Sequence, residues 1–130
     1  MVTTDNLANV LSAIKNAEAA GKNELTVRPS SKVIVAVLDI MKKEKYIADF
    51  DARKDLRGGT IVVKLAKQIN NTGVIKPRFS VTLDKLEKFE KRYLPAKDFG
   101  RIILTTSKGI MTHLEAKENK LGGVLLAYIY

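Results

Sequence analysis

Apolar residues fall at helical spacing near the start of the chain. Leu7, Val10, Leu11 and Ile14 form one face within Asp5–Ala20, and Gly21 is a stop signal. Thr4 or Asp5 can cap this predicted helix. Glu24–Val27 reads as a short strand, ended by Pro29. Ser30 or Ser31 can then cap a second helix, Lys32–Lys45. Its valine and isoleucine content would also suit a buried strand, but its length and cap argue for a helix with Val33, Val37, Ile40 and Met41 inward. Tyr46–Asp51 and Thr60–Leu65 predict an antiparallel hairpin turning at Arg57-Gly58-Gly59. Gln68–Gly73 has turn composition and reads as a link. Extended structure follows around Pro77, then a short helix over Leu83–Tyr93 with Leu86, Phe89 and Tyr93 inward. Ile102–Leu104 reads as a strand, Thr112–Asn119 as a helix and Val124–Tyr128 as a last strand, after a turn through Gly122-Gly123. The expected fold class is α/β (α+β) in two small lobes. Residues 1–66 would form an α/β lobe with a three-stranded sheet, and residues 67–130 a mainly β lobe with a short helix.

Composition narrows the function. Apolar content of 45% over 130 residues supports a modest core. Against 14 acidic residues stand 23 lysines and arginines, a net charge of +9. Such an excess points to a polyanion, most often nucleic acid. The first 66 residues carry a net +3 and the remainder +6. An anionic membrane surface is the weaker alternative, because no helix pairs a basic face with a Trp/Phe/Leu-rich one. Without cysteine, disulfides and thiolate metal sites are excluded. The single histidine, His113, has no partners at metal-ligand spacing. No apolar run reaches membrane-spanning length and no signal peptide opens the chain. The expectation is a soluble, cytoplasmic protein with no metal, cofactor, membrane partner or small-molecule substrate.

The chemistry gathers at Gly100–Lys117, GRIILTTSKGIMTHLEAK. An aliphatic strand turns abruptly polar: Thr105, Thr106 and Ser107 bring three hydroxyls, Lys108 a charge, and Gly109 freedom to take positive φ. Ile110 and Met111 return to the core. Thr112 and Glu115 form a T-x-x-E capping box. The expected order is therefore strand, hydroxyl-rich turn, helix start. A turn of this kind offers short donors, a cation and backbone amides to phosphate, sugar and base edges. Ser30, Ser31 and Lys32, at a helix N-terminus, suit a phosphate. Lys76 and Arg78 flank Pro77 and can track a phosphate backbone. Thr4 serves either as a cap or as a contact to nucleic acid. Tyr93 fits the core by spacing, with base stacking as its alternative role.

This stretch resembles the signature of the eighth small-subunit ribosomal protein family. Gly100, Ile103-Leu104, Thr105, Thr106, Gly109, Ile110-Met111, Ala116 and Lys117 fit every position of it. The resemblance covers the whole chain, and is loosest between Ala66 and Phe99. Asn6 departs from it, standing where many members have proline. The run Leu94-Pro95 to Phe99-Gly100, the Thr105-Thr106 pair and the aromatic C-terminus resemble the archaeal and eukaryotic branch. The resemblance implies a structural constituent of the small ribosomal subunit. It implies primary binding to an irregular stem in the central domain of small-subunit rRNA, and neighbouring ribosomal proteins as partners. It also implies that Thr105, Thr106, Ser107, Lys108 and Gly109 make the main RNA contacts. An irregular stem is physically reasonable, since regular A-form RNA hides its major-groove edges.

Two other classes compete. An enzyme would need a base near a nucleophile and a third group to orient it. His113 is the one imidazole, and its expected place is the protein surface. A general DNA-binding or architectural protein fits the charge, but the sequence carries no helix-turn-helix, zinc-finger or basic-zipper pattern.

Overall fold

In the computed structural model, the first apolar stripe forms helix α1, Asn6–Ala19. It buries Leu7, Val10, Leu11, Ile14 and Ala17. Strand β1 (Glu24–Val27), helix α2 (Lys32–Lys43), strand β2 (Ile47–Arg53) and strand β3 (Thr60–Leu65) follow. The structure describes residues 6–27, 32–53, 60–75, 80–95 and 99–130. The expected turn at Arg57-Gly58-Gly59 lies outside them.

The chain divides into two compact units, Met1–Asn70 and Asn71–Tyr130. In the first, β3 lies between β1 and β2, antiparallel to both. Helix α1 packs on β1, and α2 on β2. The inward stripe of α2 is Ile34, Val37, Leu38, Ile40 and Met41. Val33, expected inward, is 39% exposed. Its neighbour Ile34 takes that role because Ile34, Val37, Leu38 and Met41 follow the i, i+3, i+4, i+7 rule more closely.

The second unit adds strands β4 (Thr72–Val74) and β5 (Ser80–Val81), a 3-10 turn (Leu83–Lys85) and helix α3 (Leu86–Tyr93). Strand β6 (Arg101–Thr106), strand β7 (Gly109–Thr112), helix α4 (His113–Glu118) and strand β8 (Gly123–Ile129) complete it. The sheet order is β4-β8-β6-β7, with β5 also on β8. Thr72 and Gly73, expected in a link, instead pair with Ile129 and Tyr128. Asn71 exchanges two backbone hydrogen bonds with Tyr130. Turn-like composition was overridden by the free edge of β8. The fold is thus α+β, with a helical three-stranded unit and a larger sheet carrying short helices. No helix among the described residues is long and apolar enough to cross a membrane.

Strand β6 is the centre of the second sheet. Ile102, Ile103 and Leu104 are all buried, so both faces of the strand are covered. That explains an unbroken aliphatic run where a half-exposed strand would alternate. Ile102 and Leu104 join Ile75, Val81, Leu86, Leu94, Met111, Ala116 and Leu125 in one core. A register shift against β8 falls between Ile103 and Leu104, just before the polar residues begin.

Three helices end alike. Gly21, Lys45 and Lys120 take φ of +74°, +65° and +57°. Each is followed by a backbone bond that spans the turn: Lys22 N–H to Ala17 O, Tyr46 N–H to Met41 O, and Leu121 N–H to Ala116 O. These are Schellman closures. Lys45 therefore lies beyond α2, which ends at Lys43 rather than at the expected Lys45. Only Gly21 adopts this conformation without a Cβ penalty. Lys120→Gly should therefore raise stability by about 1 kcal/mol. A urea midpoint that stays level or falls would show that the left-handed lysine carries no strain.

Candidate nucleic-acid interface

The polar part of Gly100–Lys117 is a β-hairpin, not a strand-to-helix loop. Thr105 and Thr106 belong to β6, and Gly109 opens β7. Thr106 pairs with Gly109 and Thr105 with Ile110, leaving Ser107-Lys108 as a two-residue loop. The helix starts only after Thr112. Ile110 is half-buried, while Met111 is buried as expected. The aliphatic pair after Gly109 was read as a return to the core, but it also pairs along β6.

Two-residue hairpins favour mirror-image turns, whose twist matches that of their strands. Neither Ser107 nor Lys108 has positive φ; Gly109 does, at +113°. The glycine absorbs the mismatch just past the loop. Thr106 ties the turn: its hydroxyl donates to Gly109 O at 2.9 Å and accepts from Lys108 N–H at 3.1 Å. One acceptor position remains on that oxygen. Ser107 and Lys108 are exposed, and Thr105 is half-buried. The side chains of all three lack a hydrogen-bond or ion-pair partner among the described residues. A Cβ on Gly109 would meet nothing within 4 Å, so the backbone there is open to an approaching ligand.

Behind the hairpin, space is the constraint. A Cβ on Gly123 would lie 2.2 Å from Thr105 O and 3.2 Å from Thr106 Cγ2. A Cβ on Gly122 would lie 2.5 Å from Val81 O. The Gly-Gly pair was expected to turn the chain. Neither residue has positive φ, and the pair lets β8 press against β6 and β5.

Thr112 ends β7 and caps α4. Its hydroxyl accepts from Glu115 N–H at 3.2 Å and donates to Glu115 Oε1 at 3.3 Å. The expected capping box is thus present in a modified form, with both contacts on one hydroxyl.

His113 corrects the sequence reading. It was expected at the surface and is 1% exposed. Its Nδ1 accepts from Ile102 N–H at 3.0 Å. In the hairpin register Ile102 would next bond across to residue 113, where the chain turns into α4. The imidazole supplies the acceptor that the strand no longer offers. Nε2 faces Glu90 Oε1 on α3 at 3.0 Å, and Lys117 Nζ reaches the same oxygen. One side chain thus joins β6, α4 and α3. Burial pushes the imidazole below its ordinary range; Lys117 and Arg101 push the same way, and Glu90 opposes them. With both nitrogens engaged, His113 is not placed to serve Ser107 as a base. Its only sequence signal was its position directly after a buried strand end and the capping threonine.

The structure brings Thr105, Thr106, Ser107, Lys108 and Gly109 together. Lys32 stands exposed on the first residue of α2, in the other unit. Thr4, Ser30, Ser31, Lys76 and Arg78 lie outside the described residues. Tyr93 is half-buried and packs against the core, its ring stacked on Tyr128 at 5.6 Å.

A strongly basic chain with an open, hydroxyl-tipped hairpin on a rigid sheet is built like the small proteins of ribonucleoprotein particles. The comparison with known families agrees. Residues 5–130 match the model for "Ribosomal protein S8", and the chain belongs to that family. It is similar along its whole length to archaeal relatives named small ribosomal subunit protein uS8. Identity is 50% over 130 residues with the protein of Caldivirga maquilingensis, covering all of both chains. It is 50% over 130 residues with that of Methanococcoides burtonii, again covering both. With that of Archaeoglobus fulgidus it is 46% over 129 residues, 99% of this chain and 100% of the relative.

Two tests follow from this geometry. Gly123→Ala should destabilise the protein by about 1–3 kcal/mol, since the methyl group meets backbone that cannot step aside; an unchanged melting temperature would contradict the close approach. For His113, the folded state holds the imidazole neutral while the unfolded chain protonates near 6.5. Below that pH the unfolded state binds more protons, so stability falls as pH drops from 6.5 toward the lower folded value and is flat in this group above it. Thermal melts of His113→Gln should be weaker at pH 7 and lose part of the acid slope. An identical slope in the variant would remove His113 as its source.

Proposed function

We propose that this protein is a structural constituent of the small ribosomal subunit and binds rRNA through the β6–β7 hairpin. The target is an irregular stem in the central domain, with neighbouring small-subunit proteins packed beside it. It works on the ribosome, in the cytoplasm. The observation that carries this reading is the hairpin tip, where the side chains of Thr105, Ser107 and Lys108 have no partner among the described residues, at the end of a strand paired on both edges.

Each residue has a separable role. Ser107 donates to a base edge or a ribose 2′-hydroxyl. Thr106 sets the turn and offers its remaining lone pair to a 2′-hydroxyl or an amino group. Thr105 adds a hydroxyl on the flank of the strand. Lys108 neutralises a phosphate. Gly109 leaves room for the RNA backbone. Ser30, Ser31 and Lys32, at the start of α2 in sequence, supply a second phosphate contact, and Thr4, Lys76 and Arg78 extend the footprint. The two units divide the work, the C-terminal one reading the stem. Hydroxyls at a rigid tip suit this task, because specific RNA recognition relies on base edges and the 2′-hydroxyl of distorted sites.

The test is binding of the purified protein to a stem-loop from its own central-domain rRNA, with duplex DNA as competitor. A Thr106→Ala, Ser107→Ala double variant should lose about 1–3 kcal/mol, and Lys108→Ala should lower the salt slope by about 1. A Thr106→Ser variant keeps the turn hydroxyl and should bind as the parent does. Equal competition by DNA, with both variants unchanged, would sink the reading in favour of general nucleic-acid binding.

A further inference from the structure

The opposite end of the second unit carries a feature the hairpin does not use. Rings of Tyr93, Tyr128, Tyr130 and Phe99 follow one another in a ladder. Tyr93 and Tyr128 stack at 5.6 Å and 26°, and Tyr128 and Tyr130 at 6.2 Å and 21°. Phe99 closes the series, 6.4 Å from Tyr130 and tilted by 50°. At the other end the Arg92 guanidinium lies 5.7 Å from the centre of the Tyr93 ring. Arg101 follows two residues after Phe99 and is tied to Gly100 O at 2.8 Å.

The ladder is held rigid. Asn71 Nδ2 donates to Tyr130 Oη at 3.0 Å, and the two residues exchange backbone bonds of 3.0 Å in each direction. Gly100 passes beneath Tyr130 where a Cβ would come within 2.7 Å of it. A Cβ on Gly73 would come within 2.9 Å of the Tyr128 hydroxyl. The three tyrosines also pack on the core. Phe99 does not share that cover. It is 48% exposed, and only Val33 joins it among the exposed large hydrophobic residues described.

We infer that Phe99, backed by Tyr130, is a stacking platform for an unpaired base of the RNA. An exposed phenyl ring costs free energy in water, and a covering partner removes that cost. Two properties favour a base over a protein side chain. The inner rings stack nearly parallel, and a base extends such a series through its own π-face. The half of the chain that carries the ladder holds +6 of the +9 net charge. Stacking of this kind tolerates any base, so this surface adds affinity without reading sequence.

The chain contains no tryptophan, which makes a direct test available. Phe99→Trp introduces one reporter into the full chain. The probe is a transcript of the protein's own central-domain rRNA, used without other ribosomal proteins. Emission of Phe99→Trp should be quenched on binding. Phe99→Tyr should bind as the parent does, and Phe99→Leu about tenfold more weakly, the scale of one lost base stack. The Thr106→Ala, Ser107→Ala variant, carried in the Phe99→Trp background at saturating RNA, should still show quenching, which separates this inference from the hairpin reading. The inference fails if Phe99→Trp emission is indifferent to RNA. It also fails if emission changes only when other small-subunit proteins are added, which would assign Phe99 to a protein neighbour.

Discussion

Everything in the second unit depends on β6 being buried on both faces and bonded on both edges. Ile102, Ile103 and Leu104 exclude water above and below the strand. β8 takes one edge and β7 the other. A strand in this position cannot shift by one residue without exposing its aliphatic side chains and breaking two ladders. Its polar continuation, Thr105-Thr106, therefore leaves the core at a fixed height and angle. The hairpin is precise because of the strand behind it, not because its own two-residue loop is stiff.

Glycines and one histidine maintain this arrangement by different physics. Gly109 is required for its φ and has open space around it. Gly123 is required for space: Thr105 O lies where its Cβ would be. His113 meets a third need, an acceptor for the Ile102 N–H at the point where β7 becomes α4. A buried N–H without an acceptor would cost roughly 1–3 kcal/mol. The same imidazole faces Glu90 at 3.0 Å, so the partner that satisfies the strand also anchors α3.

The legible parts of the sequence were those where one local rule decides. Helix α1 and strand β1 follow from spacing and stop signals. The capping threonine followed from T-x-x-E. The hydroxyl stretch was legible as chemistry before it was legible as structure: T-T-S-K-G has turn composition, yet Thr105 and Thr106 extend β6 because β7 pairs with both and β8 with Thr105. Thr72 and Gly73 were read as link for the same reason and joined β8. Non-local pairing decided both cases, and a single sequence carries little trace of it. Val33 and Ile34 differ by one step around a helix, and on a segment so rich in aliphatics the periodicity did not separate them. His113 was illegible because its burial is set by Glu90, twenty-three positions earlier, and by a strand end.

Two surfaces thus sit at the two ends of one strand. The hairpin tip follows Thr106, and the aromatic ladder flanks Arg101. Six strand residues separate them, roughly 20 Å at about 3.3 Å per residue. Their chemistries differ in what they ask of RNA. Under the proposed reading, hydroxyls at the tip call for a matching edge or ribose, whereas the ladder calls only for an unpaired base. Binding at either place costs little conformational freedom, since the tip is tied by Thr106 and the ladder by Asn71 and the core. Because β6 fixes the distance between them, an RNA that satisfies both must present an irregular edge and an unstacked base at that separation. Such a requirement is one of shape, and a uniform duplex does not meet it however strongly the +9 charge attracts it.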